Sequence, residues 1–264
     1  MSVPVSVPAH PLLHRPALAE ALAAPGPAFG LFLLSGSSLL AELCGTLPLS
    51  WAVLDLEAGP LAGPDLRHQL QALTGSPVVP LVRVPHLQQH HIEHALDLGA
   101  AGVMVPKVDT AEQAAAAASA CRFAPEGSRG VNPVRASGYF TDVADYLARA
   151  NAQTSCLVQI ESPQGVAEAE RIAAVPGVDA LFLGMGDLAL ALGQPGEVTG
   201  PAMDEARAAV LKAAAAHGKA AGIFAYSLEL ARQYAAEGFQ LIAFGNEVKL
   251  LREAVLSALA ELRD

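Results

Sequence analysis

WAVLDLEAGP, residues 51–60, is an apolar run that ends in two carboxylates, Asp55 and Glu57, and then breaks at Gly59-Pro60. A run this short and apolar, closed by turn residues, reads as a strand buried on both faces, the kind found in parallel sheets. On either side of it, seven more such runs follow the same pattern: Phe29–Leu34, Val78–Val84, Gly102–Val105, Ser155–Ile160, Ala180–Leu183, Ala220–Phe224 and Leu241–Phe244. Between them lie amphipathic or alanine-rich stretches with helical periodicity, among them Gln88–Leu98, Thr110–Cys121, Pro163–Ala174, Pro201–His217 and Leu228–Gly238. The alanine tract 114–118 belongs to one of these helices and is not low-complexity sequence. Eight strand-helix units in a chain of 264 residues predict an α/β fold, a single-domain (β/α)8 TIM barrel over residues 17–264. A doubly wound sheet fits less well, because no G-x-G-x-x-G follows the first strand.

Composition narrows the function. The net charge of −10 and the lack of any Lys/Arg-rich run exclude a basic footprint for nucleic acid or anionic membrane. No apolar run approaches the ~20 residues of a membrane span. The first 16 residues, rich in proline, predict a flexible N-terminal arm without the features of a signal peptide. Three cysteines, Cys44, Cys121 and Cys156, have no metal-ligand spacing and read as buried thiols, so the expected compartment is the cytoplasm.

Chemistry in such a barrel gathers at the carboxyl ends of the strands. The residues closing the runs are Asp55 and Glu57, Arg83, Lys107, Gln159 and Glu161, Asp187, and Asn246. Glu161 and Asp187 follow adjacent strands and offer the hard oxygen ligands that Mg²⁺ or Mn²⁺ prefers. Asp187 also reads as a helix N-cap ahead of Leu188, and Glu161 as a solvated loop carboxylate. Arg83 would bind a substrate carboxylate bidentately or form an ion pair with Asp55 or Glu57. Gln159 shares a strand face with Glu161, and its amide would orient a substrate oxygen or satisfy a neighbouring side chain. The histidines of PHLQQHHIEH lack a matching third or fourth ligand, and His90, His91 and His94 read as surface residues, whereas His86, directly after the strand end, is open to either reading.

Through LDLEAGP, PLVRVP, HALDLGAAGVMVPKVDTAEQA, PEGSRGV, LVQIES, LGMGDLALALG and HGKAAGIF, the chain resembles the HpcH/HpaI class II pyruvate aldolases of the phosphoenolpyruvate/pyruvate barrel superfamily. The resemblance runs from about Phe29 to the C-terminus. It implies a (β/α)8 barrel, a homo-oligomer (a hexamer built as a trimer of dimers with an exchanged C-terminal helix), and a divalent metal, Mg²⁺, Mn²⁺ or Co²⁺, that handles a 2-oxo acid enolate. Carried over by position, Glu161 and Asp187 match the metal ligands and Arg83 the residue that steadies the pyruvyl group. Gln159 and the backbone of Met185, Gly186 and Asp187 match substrate-orienting positions, and Asp97 matches an aspartate lent by a neighbouring subunit.

Two departures accompany the match. The family places histidine directly after the glutamate equivalent to Glu57, where it serves as acid/base with the aspartate matching Asp55. Here that position is Ala58, which cannot transfer a proton. The family's R-G-V-G-S-x-x-A-R-A-S segment is also shortened here to RGVNPVRASGYF. The implied activity is cleavage or formation of a carbon–carbon bond next to a 2-oxo acid, pyruvate or oxaloacetate, with an aldehyde or acyl partner. The proton would travel through water, Asp55 or Glu57. Two alternatives are a siderophore-pathway-type citrate synthase condensing oxaloacetate with acetyl-CoA and a non-catalytic 2-oxo acid binding relative.

Overall fold

The computed structural model describes residues 15–59 and 63–263. Of the predicted N-terminal arm, residues 1–14 lie outside these, as does Pro60 of the opening segment. The eight expected strands are present within one or two residues at each end: β1 Ala28–Leu33, β2 Trp51–Asp55, β3 Val79–Arg83, β4 Gly102–Val105, β5 Ser155–Ile160, β6 Ala180–Leu183, β7 Ala220–Phe224 and β8 Leu241–Asn246. They pair in parallel in sequence order and close β8 onto β1, so the doubly wound arrangement is excluded.

Alternation along each strand sorts the side chains into two cores. One set faces the helices, including Leu54, Val82, Val103, Val158, Leu181 and Ile223. The other fills the barrel, with Phe32, Trp51, Val53, Leu81, Met104 and Phe182 among its members. The filling depends on glycine opposite bulky rings. A Cβ on Gly30 would lie within 2.2 Å of the Trp51 indole, and one on Gly222 within 2.4 Å of Phe182. Trp51 Nε1 donates to Ala28 O at 2.9 Å, so the buried indole keeps its hydrogen bond. Leu18, on the short helix Leu18–Ala23, joins the interior cluster and covers the amino end of the barrel.

The inward positions of period two continue past the apolar layers into polar groups at the carboxyl end. Trp51 and Val53 lead to Asp55, Val79 and Leu81 lead to Arg83, and Leu157 leads to Gln159 and Glu161. The barrel thus aims these four side chains at one mouth.

The alanine tract lies in helix Ala111–Cys121, opened by a capping box of Thr110 and Gln113. The helix expected over Pro163–Ala174 is two short ones, Pro163–Ala167 and Ala169–Ala173, interrupted at Glu168. The segment after residue 128 lies outside the barrel, held by Arg129 to Asp97 and by Arg135 to Leu98 O, Leu70 O and Thr74 Oγ1. The three cysteines are free and buried, as expected. No helix among the described residues is long and apolar enough to cross a membrane.

Candidate active site

Asp55 and Arg83 are register partners at the ends of β2 and β3, and they meet in a two-point contact: Nε to Oδ1 at 2.9 Å and Nη2 to Oδ2 at 2.5 Å. Nη1 reaches Glu57 Oε2 at 2.9 Å and Gln159 Oε1 at 3.5 Å. The Arg83 guanidinium also lies 5.1 Å from the Phe32 ring centroid. The ion-pair reading of Arg83 is therefore realised with both carboxylates at once. Four of its five N–H groups are directed at protein acceptors, which leaves no free two-pronged fork for a substrate.

Asp55 is fully buried, and its Oδ1 additionally accepts from the backbone N–H of Glu57 at 3.0 Å and of Ala58 at 3.2 Å. This turn places Ala58 at the surface directly beside Asp55. Glu57 is further tied to Lys107 Nζ at 3.2 Å. Lys107 itself sits at φ 56°, a left-handed conformation that costs a side-chain-bearing residue energy and that recurs at functional sites.

Glu161 is nearly fully buried, contradicting a solvated loop carboxylate. Its Oε1 accepts from Lys107 N at 2.8 Å, while Oε2 is buried without a hydrogen-bond partner. Desolvation, with the nearby charges of Glu57 and Asp187, pushes the Glu161 carboxyl up to about 7, against the pull of Lys107 N and Arg83. Gly184 makes room for it, since a Cβ there would stand 2.6 Å from Oε2. Asp187 is exposed in the first turn of helix Met185–Ala191. The cap position is Gly184, three residues earlier, so the N-cap reading of Asp187 is corrected: the helix begins sooner because Met185 is drawn into the core.

A cavity of ≈300 Å³ at the carboxyl end is lined by six predicted residues, Asp55, Arg83, Gln159, Met185, Gly186 and Asp187, over a floor of Phe32, Phe182 and Phe224. Three further liners carry polar groups: Asn246, a strand-end residue given no role, and Tyr226 and Lys249, which sequence reasoning missed. Tyr226 and Lys249 lie beyond the ends of β7 and β8 in segments that read as a turn and a helix start. The strand-end rule extended a few residues would have found them. Asp97 does not reach this cavity. It ends helix Gln89–Asp97 on the outside and pairs with Arg129 at 2.6 Å, its carboxyl pushed up by burial against the pull of that arginine. The histidines stay at the surface, with His90 and His91 ring centroids 3.9 Å apart. A larger cavity of ≈830 Å³ opens at the opposite, amino end around Leu18, Asp179, Lys219 and Gln240, away from every strand-end carboxylate.

Among the described residues no group of three or more His, Cys, Asp or Glu side chains could hold a metal by itself. The donor chemistry of the Glu161–Asp187 pair nevertheless fits a hard cation. Oε2 is an orphaned acceptor inside an acidic cluster, and a divalent ion would both pair it and offset the repulsion that raises Glu161.

Comparison with known proteins gives the family to which this barrel belongs. A hydroxypyruvate/pyruvate aldolase of Paraburkholderia phytofirmans is 39% identical over 244 residues, covering 90% of this chain and 94% of that protein. A 5-keto-4-deoxy-D-glucarate aldolase of Shigella dysenteriae serotype 1 is 39% identical over 234 residues, covering 89% and 91%. The crystal structure of an HpcH/HpaI aldolase/citrate lyase family protein from Burkholderia cenocepacia J2315 superposes with a TM-score of 0.89 at 39% identity, over 94% of this chain and 98% of the other. With the family model matching residues 28–254 as well, the chain belongs to the HpcH/HpaI aldolase/citrate lyase family.

Proposed function

We propose that this protein is a carbon–carbon lyase of the aldolase type acting on a 2-oxo acid, pyruvate or oxaloacetate, with a divalent cation held by Glu161 and Asp187. The observation that carries the reading is Glu161: a buried carboxylate with an unpaired oxygen, beside two other acids, packed against Gly184 in the wall of the cavity that presents Arg83 and Gln159. Bound there, a divalent cation supplies Lewis acidity toward the 2-oxo acid oxygens.

The chain's own residues account for the remaining steps. In cleavage of a 4-hydroxy-2-oxo acid the C3–C4 bond breaks, its electron pair becomes the pyruvate enolate, the 4-hydroxyl proton leaves to a base, and C3 later takes up a proton. Arg83 is fixed by Asp55 and Glu57, so its charge meets the developing enolate without having to reorganise. Gln159 presents an amide from the neighbouring side of the cavity. Asp55 already accepts four hydrogen bonds, which makes it a positioning residue and a poor base. Glu57 is likewise engaged by Arg83 and Lys107, and water entering over the exposed Ala58 carries the proton. Both relatives at 39% identity are named aldolases, which favours this reading over citrate formation or a non-catalytic role.

The working unit we infer is a homo-oligomer, a hexamer built as a trimer of dimers. Helix Glu247–Glu261 buries only Glu247 and exposes Val248, Leu251, Val255, Leu256 and Leu259, an apolar strip at helical spacing that a second copy would cover. In that assembly Asp97 would be offered to a neighbour's cavity. Free buried thiols suit a cytoplasmic setting. The test of the activity is turnover of 4-hydroxy-2-oxo acids with Mg²⁺, Mn²⁺ or Co²⁺. Pyruvate released at a rate that EDTA abolishes is expected, and release unaffected by EDTA and by Glu161→Ala would sink the mechanism.

A further inference from the structure

The larger cavity, ≈830 Å³, opens at the amino end of the barrel, on the face opposite the strand-end carboxylates. Barrels of this fold keep their chemistry at the carboxyl end, so a site at the amino end binds without reacting. Its volume falls in the range of pockets that hold organic ligands, about 300–1,000 Å³. The wall is built from helix Leu18–Ala23, the end of helix Pro201–Ala216, and the turns that lead into β5, β6, β7 and β8.

Three charged residues line it: Asp179, Lys219 and Glu237. The two acids are already matched. Asp179 Oδ2 accepts from Arg122 Nη2 at 3.1 Å and from Cys156 N at 2.7 Å, and Glu237 holds Arg207 through both oxygens, at 2.7 and 3.1 Å. Lys219 is not. Among the described residues neither a hydrogen bond nor an ion pair engages its half-buried side chain, which leaves an uncompensated cation in this wall of a chain whose net charge is −10. A second liner also lacks a partner. Thr154 is 2% exposed and its backbone N–H donates to Ala150 O at 2.9 Å, but its Oγ1 is buried with no hydrogen-bond partner. A hydroxyl left so costs stability that a bound acceptor would recover. Much of the remaining wall is apolar, with Leu18, Leu22 and Leu211 among alanines of the two helices. The complementary occupant carries a carboxylate, which meets the ammonium and accepts from the hydroxyl, on an aliphatic body that covers the leucines.

We propose that the amino-end cavity is a binding site for an aliphatic monocarboxylate, with Lys219 and Thr154 holding the carboxylate and Leu18, Leu22 and Leu211 seating the chain. This site is independent of the aldolase reading. The probe is octanoate, titrated into the full-length protein by isothermal calorimetry, with propionate (the carboxylate without the body) and octylammonium (the body with the opposite charge) as comparators. One octanoate per chain is expected, with a melting temperature that rises as octanoate is added, and neither comparator should bind in the same range. Excess pyruvate should leave the octanoate affinity unchanged. Lys219→Met should weaken octanoate by about tenfold or more, the worth of one charge-assisted hydrogen bond. Thr154→Val, close to isosteric, should also weaken it, while the empty variant melts no lower than the unaltered protein because an unpaired hydroxyl has been removed. A lower melting temperature for empty Thr154→Val would give that hydroxyl a structural bond and overturn its assignment. Displacement by pyruvate, equal affinity in Lys219→Met, or no binding to the full-length chain, as when another segment or a second copy fills the cavity, overturns the site.

Discussion

Ala58 occupies the exposed step beside Asp55, where the family resemblance leads one to expect a histidine, and the backbone there is already fixed by Asp55 Oδ1. A histidine at this point would add a group that titrates near neutrality next to a buried carboxylate. Ala58→His is expected to raise retro-aldol kcat roughly tenfold or more, and an unchanged rate would show that water is not the slow proton carrier. Arg83 and Asp55 define a different kind of dependence. Removing the guanidinium by Arg83→Ala strands a fully buried carboxylate, so unfolding by denaturant should show a loss of about 3–5 kcal/mol in addition to lost activity. Glu161 brings a pH signature. Its folded carboxyl sits at about 7 against an ordinary value of 4.5, so in EDTA the folded chain holds a proton that the unfolded chain releases across that window. Stability contributed by the protonated form is complete below pH 4.5 and is lost as pH rises toward 7, by about 3 kcal/mol in total. Melting temperature against pH in EDTA should therefore fall more steeply for the unaltered protein than for Glu161→Gln, and Mg²⁺ should flatten the difference.

At the level of strands and helices, the period-two alternation made the barrel legible, because each strand must bury both faces while its last inward residue escapes the core. Asp55, Arg83, Gln159 and Glu161 were readable for that reason. An ion pair of Arg83 with Asp55 or Glu57 was readable as one alternative, but not that both form at once, since the Asp55–Arg83 contact depends on strand register, which local pattern does not encode. Tyr226 and Lys249 were overlooked because they lie past the strand ends, in segments whose local sequence looks like an ordinary turn and helix. The start of the helix carrying Asp187 was misplaced because burial of Met185, a tertiary effect, outweighed the acidic capping signal. Packing inside the barrel is testable at the same scale. Gly30→Ala drives a methyl into the Trp51 ring and should cost about 1–3 kcal/mol in equilibrium unfolding, whereas Gly75→Ala, with open space but a φ of 83°, is strained by its backbone alone.

For the whole molecule, one face of the long C-terminal helix stands outside the barrel with its leucines and valines uncovered, and Asp97 is paired on the outer surface away from its own chain's cavity. Both fit a barrel that completes itself against copies. Leu251→Glu with Leu259→Glu should lower the mass measured by light scattering while leaving the far-ultraviolet circular dichroism of the barrel intact. The central claim concerns chemistry within one cavity, namely that Glu161 and Asp187 with a divalent cation let Arg83 stabilise a 2-oxo acid enolate. The most direct measurement is exchange of the pyruvate methyl protons for deuterium in D₂O, followed by proton NMR with no acceptor present. Exchange is expected to require a divalent cation and to be abolished by Glu161→Gln. Exchange that persists at an equal rate in EDTA, or in Glu161→Gln, would contradict the claim.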